Sequence, residues 1–95
     1  MEPHPPHRTL VATFGPGPFG MSLKSDSRAR VTTIGTVDDG SQAMEQGVRP
    51  GSVILEVAGA SVQGLEYAEV KRLVVGAERP LSLLLAMPAG DADVV

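Results

Sequence analysis

The 95 residues, 42% of them hydrophobic, make one compact domain with apolar surface for a single modest core. The formal net charge of -3 and a pI near 5.2 exclude the basic face that nucleic-acid binding requires. The absence of cysteine excludes a disulfide scaffold or thiolate zinc module and permits a reducing compartment.

Met1 to His7 holds three prolines and two histidines and reads as an extended arm, without the basic end and apolar run of a signal peptide. No stretch nears the roughly 20 apolar residues of a membrane span, so a soluble, cytoplasmic chain is expected. Arg8 to Phe14 reads as a first strand. It leads into Gly15-Pro16-Gly17-Pro18-Phe19-Gly20-Met21-Ser22-Leu23, a glycine-rich turn that runs straight into an alternating apolar strand. Such a turn can aim several bare backbone N–H groups at one point, a place for a carboxylate. Phe19, Met21 and Leu23 recur with period two and share the strand face beside those donors. An anion cradle next to an apolar pocket suits the free C-terminus of a peptide ending in a hydrophobic residue.

Met21 to about Lys24 is the second strand, Ser25-Asp26-Ser27 a turn, and Ala29 to Val37 a third strand. Asp38-Asp39-Gly40-Ser41 is turn chemistry, with Ser41 placed to cap a helix over Gln42 to Gln46 that Gly47 ends in the left-handed conformation. Arg49-Pro50-Gly51-Ser52 fits a type II turn, and Val53 to Val57 is a buried strand ended by Ala58-Gly59. A brief strand at Ala60 to Val62 precedes a helix over Leu65 to Val75, where Leu65, Val70, Leu73 and Ala77 fall near helical spacing and Gly76 is a stop. Leu81 to Ala86 is the last strand. The domain proper is thus expected over residues 8–87, between an arm at 1–7 and an acidic tail at 88–95.

From about Thr9 to Met87 these residues resemble the PDZ family. Pro18-Phe19-Gly20-Met21 stands where that family has its Gly-Leu-Gly-Phe loop, Gly40-Ser41-Gln42-Ala43 resembles its Gly-Ser-x-Ala helix start, and Gly47-Val48-Arg49-Pro50-Gly51 its Gly-Leu-x-x-Gly-Asp segment. The resemblance implies a mainly β, α+β fold: a partly open barrel of five or six strands with two helices. It also implies strand addition, in which a partner's C-terminus pairs with strand two beside helix two. The N–H groups of Phe19, Gly20 and Met21 would then hold the carboxylate, and Met21, Ser22 and Leu23 would pair with the added strand. Phe19, Met21, Leu23 and Val74 would line the pocket for the last side chain.

Tyr67, Lys71 and Val70 are the implied specificity residues. Tyr67 and Lys71 share a helical face at i and i+4, with Val74 at i+7. Tyr67 matches the position that meets the ligand's third residue from the end, where its phenol suits Asp or Glu, an apolar residue, or Ser or Thr. Four departures stand out. Ser52 replaces the usual Asp, and Ala58 an Asn. Glu66 replaces the Ser or Thr cap of helix two, at about 1 kcal/mol. No Arg or Lys lies between Phe14 and Pro18, which leaves carboxylate capture to backbone donors alone.

The chain ends Asp93-Val94-Val95, itself the acidic ligand pattern, so self-association through that tail is one alternative; a substrate-recognition accessory role for a protease is another. Catalysis is not expected, because the only histidines, His4 and His7, sit in the arm without a triad or a sufficient metal-ligand set. No cofactor is expected. Lys and Arg are not clustered for an anionic membrane surface.

Overall fold

The computed structural model describes residues 8–26 and 30–87. Its elements in chain order are β1 (Thr9–Phe14), β2 (Met21–Asp26), β3 (Val31–Val37), α1 (Gln42–Glu45), β4 (Val53–Val57), β5 (Ala60–Ser61), α2 (Tyr67–Gly76) and β6 (Leu81–Ala86). The strands form one antiparallel sheet in the order β1-β6-β4-β3-β2, with β5 paired to β4. This is the expected α+β fold. The arm at 1–7, the tail at 88–95 and Ser27 to Ala29 lie outside the described residues, and with them His4, His7 and the Asp93-Val94-Val95 motif.

The core follows from strand alternation. Ala12 and Phe14 of β1 and Leu81, Leu83 and Leu85 of β6 alternate to the buried side, Ile54 and Val57 of β4 are buried with them across a register shift between Ile54 and Glu56, and Val70 and Val74 of α2 join the same core. The two outer strands are treated differently. On β1, the Thr13 N–H donates to the Gln46 side chain at 3.1 Å, which blocks part of that edge against pairing. The edge of β2 instead faces α2.

Several elements differ from expectation. Ser25 and Asp26 continue β2, paired with Thr32 and Val31, because the chain reverses later, through Arg30 at φ +57. Helix α2 starts at Tyr67, two residues after Leu65; Leu65 N–H instead closes a turn onto the Val62 carbonyl at 3.0 Å. Leu73 is 43% exposed, so the buried stripe of α2 is Val70 and Val74. The Glu66 cap is less costly than its residue type suggests, since the Glu69 carboxylate accepts from the Glu66 N–H at 3.4 Å, the returning half of a capping box. Ser52, where an Asp is usual, is fully buried, and its hydroxyl donates to the Arg49 carbonyl at 2.7 Å, a bond a carboxylate cannot make, which locks the Pro50-Gly51 turn.

Candidate functional site

The site lies along the edge of β2, between the glycine-proline loop that precedes it and α2 beside it. The loop is organised by α1, a helix of only four residues. Gln42 faces the loop: its Oε1 accepts from the Gly15 N–H at 2.7 Å, and its Nε2 donates to the carbonyls of Gly15, Pro16 and Pro18 at 3.2, 3.3 and 3.1 Å. The next two carbonyls are held by backbone donors. Phe19 O accepts from the Ala43 N–H at 3.0 Å and Gly20 O from the Asp38 N–H at 2.7 Å. Ser41 caps α1 by accepting from the Met44 N–H at 3.2 Å, and its hydroxyl also reaches Gly20 O at 3.3 Å.

These bonds orient the opposite sides of the same peptide groups. In a trans peptide the C=O and the following N–H point in opposite directions. With the carbonyls of Pro18, Phe19 and Gly20 drawn toward α1 and the start of its capping turn, the N–H groups of Phe19, Gly20 and Met21 are turned away from them, in succession. Gly20 is required here. Its φ is +80, and a Cβ would lie 2.0 Å from the Ser41 Cβ.

The sequence offered no cation within the loop, and the structure brings one from 64 positions away. Arg79, in the α2–β6 connection, places its guanidinium over the Phe19 ring, 4.0 Å from the centroid. Its NH1 donates to the carbonyls of Gly15 and Gly17, the latter at 2.8 Å. Nothing local to Arg79 marks this role. Phe19 is held from another side by Phe14, edge to face at 5.1 Å.

Along β2, Phe19, Met21 and Leu23 are half-buried, packed on the core cluster without joining it. Ser22 has its hydroxyl on Thr36, accepting from the Thr36 N–H at 3.0 Å, where the β2–β3 register shifts. Across the groove Tyr67 is half-buried, and its hydroxyl donates to the Leu23 carbonyl at 3.3 Å. Lys71 is exposed. Val74 and Val70 are 2% and 1% exposed, so both belong to the floor beneath the groove, and Val70 in particular serves the core. Beyond Tyr67 a cleft of about 680 Å³ opens between the end of β2 and the start of α2, bounded by Ser25, Asp26, Arg30 and Glu66.

An antiparallel sheet of this order, with an edge strand flanked by a helix and headed by a loop of turned-out amides, defines a small protein-interaction domain. Residues 9–86 match the PDZ domain family, and the chain belongs to that family. It is 36% identical over 77 residues to the mouse Na(+)/H(+) exchange regulatory cofactor NHE-RF2, covering 81% of this chain and 23% of that protein. The rabbit protein of the same name matches at 36% over 77 residues, covering 81% and 24%. Human PDZ and LIM domain protein 5 is 30% identical over 76 residues, covering 79% and 13%. The chain thus spans about a quarter or less of the length of these relatives. Among the described residues no helix is long and apolar enough to cross a membrane, and no cluster of three or more His, Cys, Asp or Glu is gathered as for a metal.

Proposed function

We propose that this PDZ domain captures the free C-terminus of partner proteins by strand addition to β2, and so scaffolds or localises those partners without chemistry of its own. One observation carries the reading: the carbonyls of Pro18, Phe19 and Gly20 are drawn back by Gln42, Ala43 and Asp38, which presents the next three N–H groups as donors for an anion. Charge-assisted bonds of this kind are roughly twice as strong as neutral ones. The last side chain of the ligand would rest on Phe19, Met21 and Leu23, over Val74.

Tyr67 supports an acidic preference at the third residue from the ligand's end. The Leu23 carbonyl, which its hydroxyl engages, is an acceptor that an added strand needs for pairing. A ligand strand taking that carbonyl releases the phenol, which then requires a new acceptor. A carboxylate is the strongest one available, and Lys71 one turn along adds favourable charge.

The test is fluorescence polarisation with labelled peptides ending in valine that differ only in carrying Asp, Thr or Val at the third residue from the end, each beside an amidated control. Amidation should weaken binding by roughly tenfold or more, since it removes the charged acceptor, and Asp should bind best. Equal binding of free and amidated peptides would defeat the carboxylate reading; a free-acid preference led by Thr or Val would retain it and reassign Tyr67.

A further inference from the structure

We infer that Arg79 supplies the positive charge of the carboxylate loop and holds that loop in its receptive shape, a role filled from the α2–β6 connection. The inference rests on the carboxylate-capture reading above. It starts from a deficit: Gly15-Pro16-Gly17-Pro18 contains no cation. It is also a loop with unusual needs. Two prolines remove donors, and its carbonyls would otherwise face an incoming anion with the wrong end of each dipole.

Every carbonyl from Gly15 to Gly20 has a partner. Gln42 takes those of Gly15, Pro16 and Pro18, Ala43 and Asp38 N–H take those of Phe19 and Gly20, and Arg79 takes that of Gly17 and shares that of Gly15. Arg79 therefore completes the set. The loop's acceptor side is sealed on both flanks, and its donor side is the one left for a ligand. The two protons of NH1 go to the carbonyls, while the Nε–H and the two protons of NH2 lie outside that pair.

The residue type fits the position. A guanidinium centred over the Phe19 ring reaches two carbonyls through NH1 while its ring contact is made from the central carbon, whereas a lysine would have to bring one compact, strongly hydrated ammonium to all three contacts. Half-buried and fixed at three points, this guanidinium differs from a solvated surface arginine, whose field water and salt would screen. It also touches Phe19, the residue whose N–H heads the donor series, so charge and loop shape are set by the same side chain.

The experiment compares wild type, Arg79→Gln and Arg79→Lys in binding one labelled peptide ending in valine, free or amidated, at about 50 and 300 mM salt. In Arg79→Gln the free peptide should weaken on the order of five- to tenfold and the amidated one, which feels only the loss of the brace, by clearly less, so that the ratio of free to amidated affinity falls together with the salt dependence of the free peptide. Arg79→Lys should keep the salt dependence but lose affinity, with the amide resonances of Gly17 and Phe19 shifting as the brace is lost. An unchanged ratio of free to amidated affinity in Arg79→Gln overturns the inference and leaves carboxylate capture intact. Should wild type itself fail to distinguish free from amidated peptide, the capture reading falls first. If Arg79→Gln does not fold by circular dichroism, Arg79→Lys decides: wild-type affinity with unshifted Gly17 and Phe19 resonances would overturn the bracing role.

Discussion

The two ends of the β2 groove are built on opposite terms. At the loop end each carbonyl from Gly15 to Gly20 is tied to α1, to Asp38 or to Arg79, and Phe19 is clamped between Phe14 and Arg79. At the far end a single hydroxyl contact, Tyr67 to Leu23 at 3.3 Å, spans the groove, and beyond it lies an open cleft of about 680 Å³. The difference matches what each end is proposed to meet. Every chain terminus presents the same carboxylate, so a fixed, prepaid geometry lowers the ordering cost of each binding event. Side chains upstream vary between partners, and an end held by one exchangeable bond can answer to them.

The comparison breaks most visibly if the loop end proves soft. Gly20→Ala introduces a Cβ 2.0 Å from the Ser41 Cβ at a φ of +80, so strain and overpacking act together. A stability loss of about 3 kcal/mol or more is expected from urea denaturation. A loss below about 1 kcal/mol would show that Ser41 and the start of α1 yield freely and that the loop end is not rigid. Next in size is Gln42→Ala, which removes the partner of the half-buried Gly15 N–H and of three carbonyls. About 2 kcal/mol of stability should be lost, with faster hydrogen exchange at Gly15 and Ala43, whose amides are bonded to Gln42 and to the loop. Unchanged exchange would mean that Arg79 and the Ala43 and Asp38 amides suffice, which would sharpen the comparison by locating the rigidity on the backbone.

What could be read from the residues follows the same division. Short apolar runs bounded by turn residues, Val53–Val57 and Leu81–Ala86, were legible to the residue, as was the Ser41 cap, because turn boundaries and capping chemistry are local. The turn into β2 and the half-buried apolar residues Phe19, Met21 and Leu23 were legible because glycines and alternating apolar residues fall side by side. Arg79 was not: its partners are about 60 residues earlier, and an arginine beside a proline carries no local mark of a stacked guanidinium. Nor was the role of Gln42, where the resemblance to a helix start named the position without its bonds. Helical spacing misassigned Leu73, because period alone cannot tell the floor of a groove from its rim. Val70, which the resemblance implied as a specificity residue, is buried at 1% exposure.

The smallest effect belongs to the far end and tests it most finely. Tyr67→Phe keeps the ring and removes the hydroxyl, so the contact to the Leu23 carbonyl disappears without a packing change. A long, half-exposed hydrogen bond is worth about 0.5–1 kcal/mol, so stability should move little. Peptide selection should move more. With the phenol gone, the Leu23 carbonyl is open to an added strand from the start, and the valine-bearing peptide should bind as well as before or better. The Asp-bearing peptide loses the donor it gained on binding and should weaken by severalfold, so the Asp-to-Val affinity ratio falls toward unity. If that ratio stayed at its wild-type value, discrimination would lie elsewhere, with Lys71 or with the cleft between Asp26, Arg30 and Glu66. The far end would then be read by charge rather than by a single exchangeable hydroxyl, and its contrast with the braced loop would be one of chemistry as well as of order.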